Sequence, residues 1–149
     1  MNFSYLTEPD REQLRRLPFS VALPQDLPPG WKAEPLVVFE DLEFPEQQEF
    51  SLEAPFVGPQ SARWAVLTSN GGIGDVLAGE TEHSFRAVDH QVFGNILVHS
   101  YREEDVPEIQ SDWFPEDEEA SCYHSFRGTN VSTQDLQTLV DSLELFEPA

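Results

Sequence analysis

Residues 63–71 read Arg-Trp-Ala-Val-Leu-Thr-Ser-Asn-Gly and carry the clearest structural pattern in the sequence. Every second side chain from Trp64 to Thr68 falls on one face, and the two between them fall on the other, which is the period-two pattern of a β-strand. The Asn-Gly pair that follows favours a tight hairpin turn, because both residues tolerate a positive φ. The stretch therefore predicts a central strand over 63–69, a tight turn and a return strand over 73–78.

Other segments on both sides of this stretch alternate in polarity or contain short apolar runs, which is typical of strands. These segments are 32–40, 48–54, 82–88, 91–101 and 121–127. The prolines and glycine of 55–59 are expected to end the segment 48–54, and Gly94 with Asn95 marks a turn or bulge within the segment 91–101. In the last segment Cys122, His124 and Phe126 share one face, and Gly128 closes it.

Two helices are predicted, one near each end of the chain. Thr7 is placed to cap a short helix over 8–16, whose acidic first turn and basic last turn match the helix dipole. Ser132 is placed to cap a second helix over 132–146, with Asp135 at the capping-box position. Its apolar residues recur at i, i+3, i+4 and i+7, so one stripe is expected to pack on the sheet. They are Leu136, Leu139, Val140 and Leu143.

The segment between the first helix and the first strand contains four prolines within 17–30. Proline removes a backbone donor and excludes regular helix or a central strand, so this segment is expected to run extended over the surface. The chain has no internal repeat and no flexible linker. Together these patterns predict one α+β domain over 1–149: an antiparallel sheet of about six strands, a C-terminal packing helix, and an entry segment over 1–30.

The charge is strongly one-sided, with 28 acidic and 8 basic residues and a formal net charge of -20. Such a charge disfavours direct contact with nucleic acid or an anionic membrane surface. The acids cluster: 40–53 holds six and 103–119 holds nine, and neither stretch contains a base. These stretches are expected to face water or a protein partner with a basic surface.

Cys122 is the only cysteine, which excludes an intramolecular disulfide and a four-cysteine zinc site. The first seventeen residues lack the apolar core of a signal peptide, so a cytoplasmic location is expected. The four histidines could join Cys122 at a metal, but their spacing lacks the pairing that metal sites show, and no metal is expected. These histidines are His83, His90, His99 and His124.

Other catalytic signatures are weak. The glycines of 71–74 lack the Lys-Ser/Thr pair of a phosphate loop, so no nucleotide cofactor is expected. There is no Gly-x-Ser-x-Gly elbow, and Asp89 and His90 are neighbours with no identifiable nucleophile to serve. The run from Glu116 to Glu119 lacks the alternating pattern of a calcium loop and is expected to be a solvated turn. No catalytic residue can be assigned.

Three features occur in an order that resembles a known family. Leu-Pro-Pro-Gly-Trp stands at 27–31, a Trp64-centred strand follows, and 123–143 reads aromatic-x-x-aromatic-x-Gly, then Ser-x-x-x-Leu and a closing Ser-Leu pair. This resembles a bacterial family of uncharacterised domains that are often found beside anti-sigma factors. The resemblance implies a curved antiparallel sheet like that of lipoprotein carriers and no catalytic residues. The family's members usually lie outside the cytoplasmic membrane, whereas this chain shows no signal or anchor.

Three functions remain open from the sequence. The preferred one is a non-enzymatic binding or regulatory domain whose acidic surface or sheet face contacts a basic partner. The alternative is a hydrolase or metal-dependent enzyme that uses scattered histidines and carboxylates, which requires at least three such groups to converge in a pocket. The third is a nucleic-acid mimic, which requires carboxylates spaced like phosphates along one face.

Overall fold

The computed structural model describes residues 3–40, 50–70, 84–115 and 122–146. Within these residues the chain forms two α-helices and ten strands, and the paired strands are antiparallel, so the class is α+β as predicted. The elements are α1 (Glu8–Arg15), β1 (Val21–Pro24), β2 (Lys32–Ala33), β3 (Val37–Glu40), β4 (Phe50–Val57), a 3-10 turn (Pro59–Ser61), β5 (Arg63–Ser69), β6 (Ser84–His90), β7 (Gly94–Glu103), β8 (Val106–Ser111), β9 (Tyr123–Thr129), α2 (Thr133–Asp141) and β10 (Leu143–Phe146). Neither α-helix is long and apolar enough to span a bilayer.

The strands form two sheets rather than one. The larger has eight strands in the order β2-β4-β5-β9-β8-β7-β6, and β3 also pairs with β4. The smaller consists of β1 and β10. The prediction of about six strands was therefore too low. The strands it missed are short or contain proline and acidic residues, which mask their alternation.

The two faces of the larger sheet differ sharply. We call the buried one the inner face; it packs under the β1–β10 pair, the N-terminal segment and α2. Its largest buried side chains include Leu52, Phe56, Trp64, Val66, Ile96 and Phe126. The Ala22 N–H donates to Thr68 Oγ1 over 3.4 Å, which ties the small sheet to the large one. The Tyr5 ring lies 5.5 Å from the Phe56 ring, and burial raises the pKa of Tyr5 far above its ordinary value.

The strand over 63–69 is confirmed and is central as predicted, lying between β4 and β9. Trp64, Val66 and Thr68 are all buried on the inner face. Its neighbour β4 directly precedes it in the chain, joined through the 3-10 turn, whereas its other neighbour, β9, is distant in sequence. The predicted turn at Gly71 and the return strand over 73–78 lie outside the described residues.

The first helix is confirmed to within one residue, since α1 ends at Arg15. Thr7 Oγ1 accepts from the Asp10 N–H, and the Asp10 carboxylate accepts from the Thr7 N–H. These reciprocal bonds satisfy two backbone donors that a helix N-terminus leaves free.

The prediction for 17–30 was wrong in one respect. Residues 21–24 do not lie on the surface but form β1, in which all four residues are buried. Pro24 is tolerated because it is the last residue of a strand in a two-stranded sheet, where a missing donor costs little. The intervening residues Val21 to Leu23 contain no proline and can pair.

The predicted C-terminal helix was correct at its start and wrong at its end. The Ser132 hydroxyl accepts from the Asp135 N–H, and Leu136, Leu139 and Val140 are buried. The helix stops at Asp141, however, and 143–146 form β10 against β1. Leu143 and Phe146 of β10 are both buried. Because they are three residues apart, their spacing in the sequence matches that of a helix and led to the prediction of a longer helix.

The segment 32–40 was predicted as one strand and is two, because Pro35 interrupts it between β2 and β3. Strand β4 was expected to end before Pro55 but continues to Val57. The Pro55 carbonyl accepts from the Glu34 N–H, so Pro55 lies opposite the break between β2 and β3. A missing donor is tolerated at that position.

The predicted antiparallel pair over 82–101 is confirmed as β6 and β7. The turn lies at 91–93, and Gly94, with φ of 74°, begins β7 rather than interrupting it. Strand β8 was missed, because Pro107 and the acidic residues around it suggested a solvated loop. The strand predicted over 121–127 was expected to be the last, but β10 follows it, and β9 continues through Gly128 to Thr129.

Candidate open sheet face

The second face of the eight-stranded sheet, which we call the open face, is not covered by any element that the structure describes. Its side chains alternate with those of the inner face along β3, β4, β5, β7, β8 and β9. Strand register places Glu53, Leu67 and Ser125 in one row across the sheet. The next row contains Ala65, Arg127 and Gln110.

Two adjoining clefts lie on this face, with volumes of about 420 Å³ and 790 Å³. They share four lining residues, so they form one continuous depression: Glu53, Ala65, Gln110 and Arg127. The smaller cleft is also lined by Phe39, Leu67 and Trp113. The depression is thus a mixed surface in which aromatic and aliphatic side chains surround a few charged groups.

Two large apolar side chains of edge strand β3 border the depression and are exposed to solvent. Phe39 is 52% exposed and Val37 is 39% exposed. They pair in register with Ser51 and Glu53 of β4, which places both on the open face. Apolar side chains adjoining in one patch are typical of a contact surface, whereas single exposed ones are common on any protein.

The central charges of the open face form an ion pair. Arg127 Nη2 donates to Glu53 Oε1 over 3.1 Å, and the Arg127 side chain is 71% exposed while that of Glu53 is 22% exposed. Such an exposed pair contributes little to folding stability, because solvent screens it. The Arg127 guanidinium therefore has donors that can be directed to a partner.

A second polar pair lies near the smaller cleft. The His99 Nε2–H donates to Asp112 Oδ1 over 2.9 Å, with His99 mostly buried and Asp112 half-exposed. His99 is the register partner of Gln110, which lines both clefts. This is the one histidine–carboxylate pair among the described residues.

The other described histidines are part of the packed interior. His124 Nδ1 is 2.7 Å from Thr68 Oγ1, and burial lowers the pKa of His124 to about 4, so the ring is neutral at pH 7. The Val92 N–H donates to His90 Nδ1, which leaves the His90 Nε2–H to donate to the Val140 carbonyl over 2.9 Å. His90 thereby joins the end of β6 to α2.

The metal hypothesis finds no cluster in the part of the chain that the structure describes, where no three His, Cys, Asp or Glu side chains converge. The Cys122 thiol instead approaches the Ser20 carbonyl at 3.7 Å. His83, the glycines of 71–74 and the acidic run 116–119 lie outside the described residues. Asp89 is exposed on β6 beside His90, whose ring nitrogens both bond to backbone groups.

The residues of the open face were not singled out from the sequence. Phe39, Trp113 and Arg127 are far apart in the chain, and β8, which contributes Gln110, was not recognised as a strand. The sequence feature that could have indicated this face is the set of residues that alternate with the buried ones along each strand. In β5 these are Ala65 and Leu67, which are only half-buried. Comparison with protein-family models, with curated proteins and with solved structures gives no match.

Proposed function

We propose that this chain is a non-enzymatic protein-binding domain and that its open face is the surface that contacts a basic partner. The observation that carries the proposal is the depression on that face, which runs across six strands and is bordered by exposed Phe39 and Val37. Its residue types are those that dominate protein interfaces, namely Trp, Tyr and Arg. The residues of these types that line the depression are Tyr101, Trp113, Arg63 and Arg127.

Charge favours a basic partner. The net charge of -20 attracts a cationic protein over long range and repels an anionic one. The larger cleft contributes carboxylates at short range from Glu34, Glu53 and Glu108. Val37 and Pro55 lie beside them and offer apolar contact for the aliphatic stem of a lysine or arginine.

A hydrolase is the second candidate, and the His99–Asp112 pair is the observation that favours it. A histidine oriented by a carboxylate is the usual general base, but it needs a nucleophile within hydrogen-bond distance. Ser125 lines the smaller cleft. This candidate ranks second because neither His99 nor Asp112 lines either cleft of the open face.

The test compares two exposed apolar residues of similar accessibility. Phe39 lines the cleft, whereas Val92, at 49% exposure, lies in the β6–β7 turn. The probe is a set of labelled peptides that alternate lysine with leucine or tryptophan, measured by fluorescence anisotropy. Phe39→Ser should weaken binding by about tenfold or more, the effect of losing one buried aromatic contact. Val92→Ser should leave the affinity within about twofold.

Salt and peptide charge provide the second arm of this test. Binding should weaken as NaCl rises, and replacing the peptide lysines by glutamate should abolish it. If Phe39→Ser and Val92→Ser bind the peptides equally well, the open face is not the contact surface. If Glu-substituted peptides bind as tightly as the lysine set, the partner is not selected by its positive charge.

A further inference from the structure

A separate pocket of about 210 Å³ lies between α2 and the edge of the large sheet, away from the open face depression. Its floor is apolar and comes from three elements: Val88 of β6 and Val98 of β7 on one side, and Leu136 and Val140 of α2 on the other. Drug-sized ligands occupy pockets of roughly 300–1,000 Å³, so this one is suited to a smaller molecule or a single side chain.

The pocket has fixed walls. The His90 Nε2–H bond to the Val140 carbonyl holds the end of β6 against the last turn of α2. Leu136 and Val140 are nearly fully buried, so their rotamers are set by packing. A pocket between elements joined in this way does not need to be ordered by its ligand, which lowers the cost of binding.

Two opposite charges lie at the mouth of this pocket. Arg86 of β6 and Asp141 of α2 both line it, and both are solvent-exposed. Neither side chain forms a hydrogen bond or an ion pair within the part of the chain that the structure describes. The mouth therefore presents one cation and one anion beside an apolar floor, an arrangement complementary to a small zwitterion with an apolar side chain.

We propose that this pocket binds a free α-amino acid with an aliphatic side chain, such as leucine. The side chain occupies the apolar floor, the α-carboxylate accepts from the Arg86 guanidinium, and the α-ammonium donates to the Asp141 carboxylate. The site is distinct from the open face, so this proposal stands or falls independently of the proposed protein partner.

The test titrates the full chain with L-leucine and records backbone amide shifts by NMR. Shifts should saturate and concentrate on β6 and α2, while the amides of β5 stay unchanged. Leucinamide lacks the carboxylate and N-acetyl-leucine lacks the ammonium, so each should bind about tenfold more weakly than leucine, the typical effect of losing one hydrogen bond to a charged group. Serine, which lacks the apolar side chain, should not saturate.

Matched variants assign the two charges. Arg86→Gln and Asp141→Asn should each weaken leucine binding about tenfold. Arg15→Gln on α1 and Asp89→Asn on β6 remove exposed charges of the same kind outside the pocket and should have no effect. All four positions are exposed, so the fold should survive each change.

The proposal is overturned if leucine shifts are absent or fall mainly on the open face. It is also overturned if leucine, leucinamide and N-acetyl-leucine bind equally, because the pocket would then recognise only an apolar group. Equal binding by Arg86→Gln and Arg15→Gln would contradict the role given to Arg86. None of these results bears on Phe39 and the peptide partner.

Discussion

At the scale of single residues, Gly128 illustrates how a packing constraint can look like a chain-breaking signal. From the sequence it was expected to end a strand, yet β9 continues through it. A Cβ at this position would lie 2.9 Å from Val131 Cγ2, 3.0 Å from Trp64 Cδ1 and 3.1 Å from Ile109 Cδ1. The glycine is therefore required by the inner-face packing and not by a turn.

Gly128→Ala should destabilise the protein by about 1–3 kcal/mol, because three neighbouring groups must shift to admit the methyl group. Ser125→Ala, on the same strand but on the open face, serves as the control and should stay within about 0.5 kcal/mol of the wild type. Urea unfolding followed by tryptophan fluorescence measures both. Equal stability of the two variants would mean that the space around Gly128 is larger than the structure shows.

His124 should make folding stability depend on pH. Burial lowers its pKa from the ordinary 6.5 to about 4, so between these values the unfolded chain binds a proton that the folded chain does not. Stability should therefore fall as pH decreases through this window, by about 2 kcal/mol between pH 7 and pH 5 from this residue alone. His124→Gln removes that contribution.

The check is the stability difference between wild type and His124→Gln at pH 7 and at pH 5, in which the carboxylate titrations common to both proteins cancel. The difference should shrink by about 2 kcal/mol on acidification. A difference that does not change with pH would show that the folded protein tolerates a charged ring at this position.

At the scale of secondary structure, the elements predicted best from the sequence are those in which apolar residues of a buried face alternate with polar residues of an exposed face. α1, β5 and the start of α2 are of this kind. It failed where proline or acidic residues lie within a strand, as at Pro55 in β4 and Pro107 in β8. It failed also in β10, whose buried residues Leu143 and Phe146 continue the helical spacing by chance.

Helix α2 provides a direct test of element packing. Leu139 is fully buried, so Leu139→Ala should cost about 2–5 kcal/mol, through lost apolar contact and the cavity left behind. Gln134→Ala, on the exposed face of the same helix, should change stability by less than about 0.5 kcal/mol. If the urea unfolding curves of the two variants overlap, this helix is not part of the core.

At the scale of the whole molecule, the net charge of -20 should oppose compactness through self-repulsion. Raising NaCl from about 0.01 M to 0.1 M shortens the Debye length from about 30 Å to about 10 Å and should raise the melting temperature. The ion pair Arg127–Glu53 weakens under the same conditions, but exposed pairs of this kind contribute only about 0–1 kcal/mol. A melting temperature that falls as NaCl rises would show that attraction within ion pairs outweighs the self-repulsion of the acidic residues.

The open face could not be predicted from the sequence, because local patterns do not show which strands lie side by side. Its residues come from six strands, and their arrangement depends on a strand order in which β5 lies between β4 and the distant β9. Local patterns identify strands but do not order them. The prediction of a basic partner, by contrast, rests on composition alone.

The most direct measurement of the central claim is site-specific photo-cross-linking in cells. p-Benzoylphenylalanine is placed at position 39 in one variant and at position 92 in another, two exposed positions of which only the first lines the open face. We expect a discrete adduct with a basic protein from position 39 and none from position 92. Adducts of equal yield from both positions, or from position 92 alone, would contradict the assignment of the open face as the binding surface.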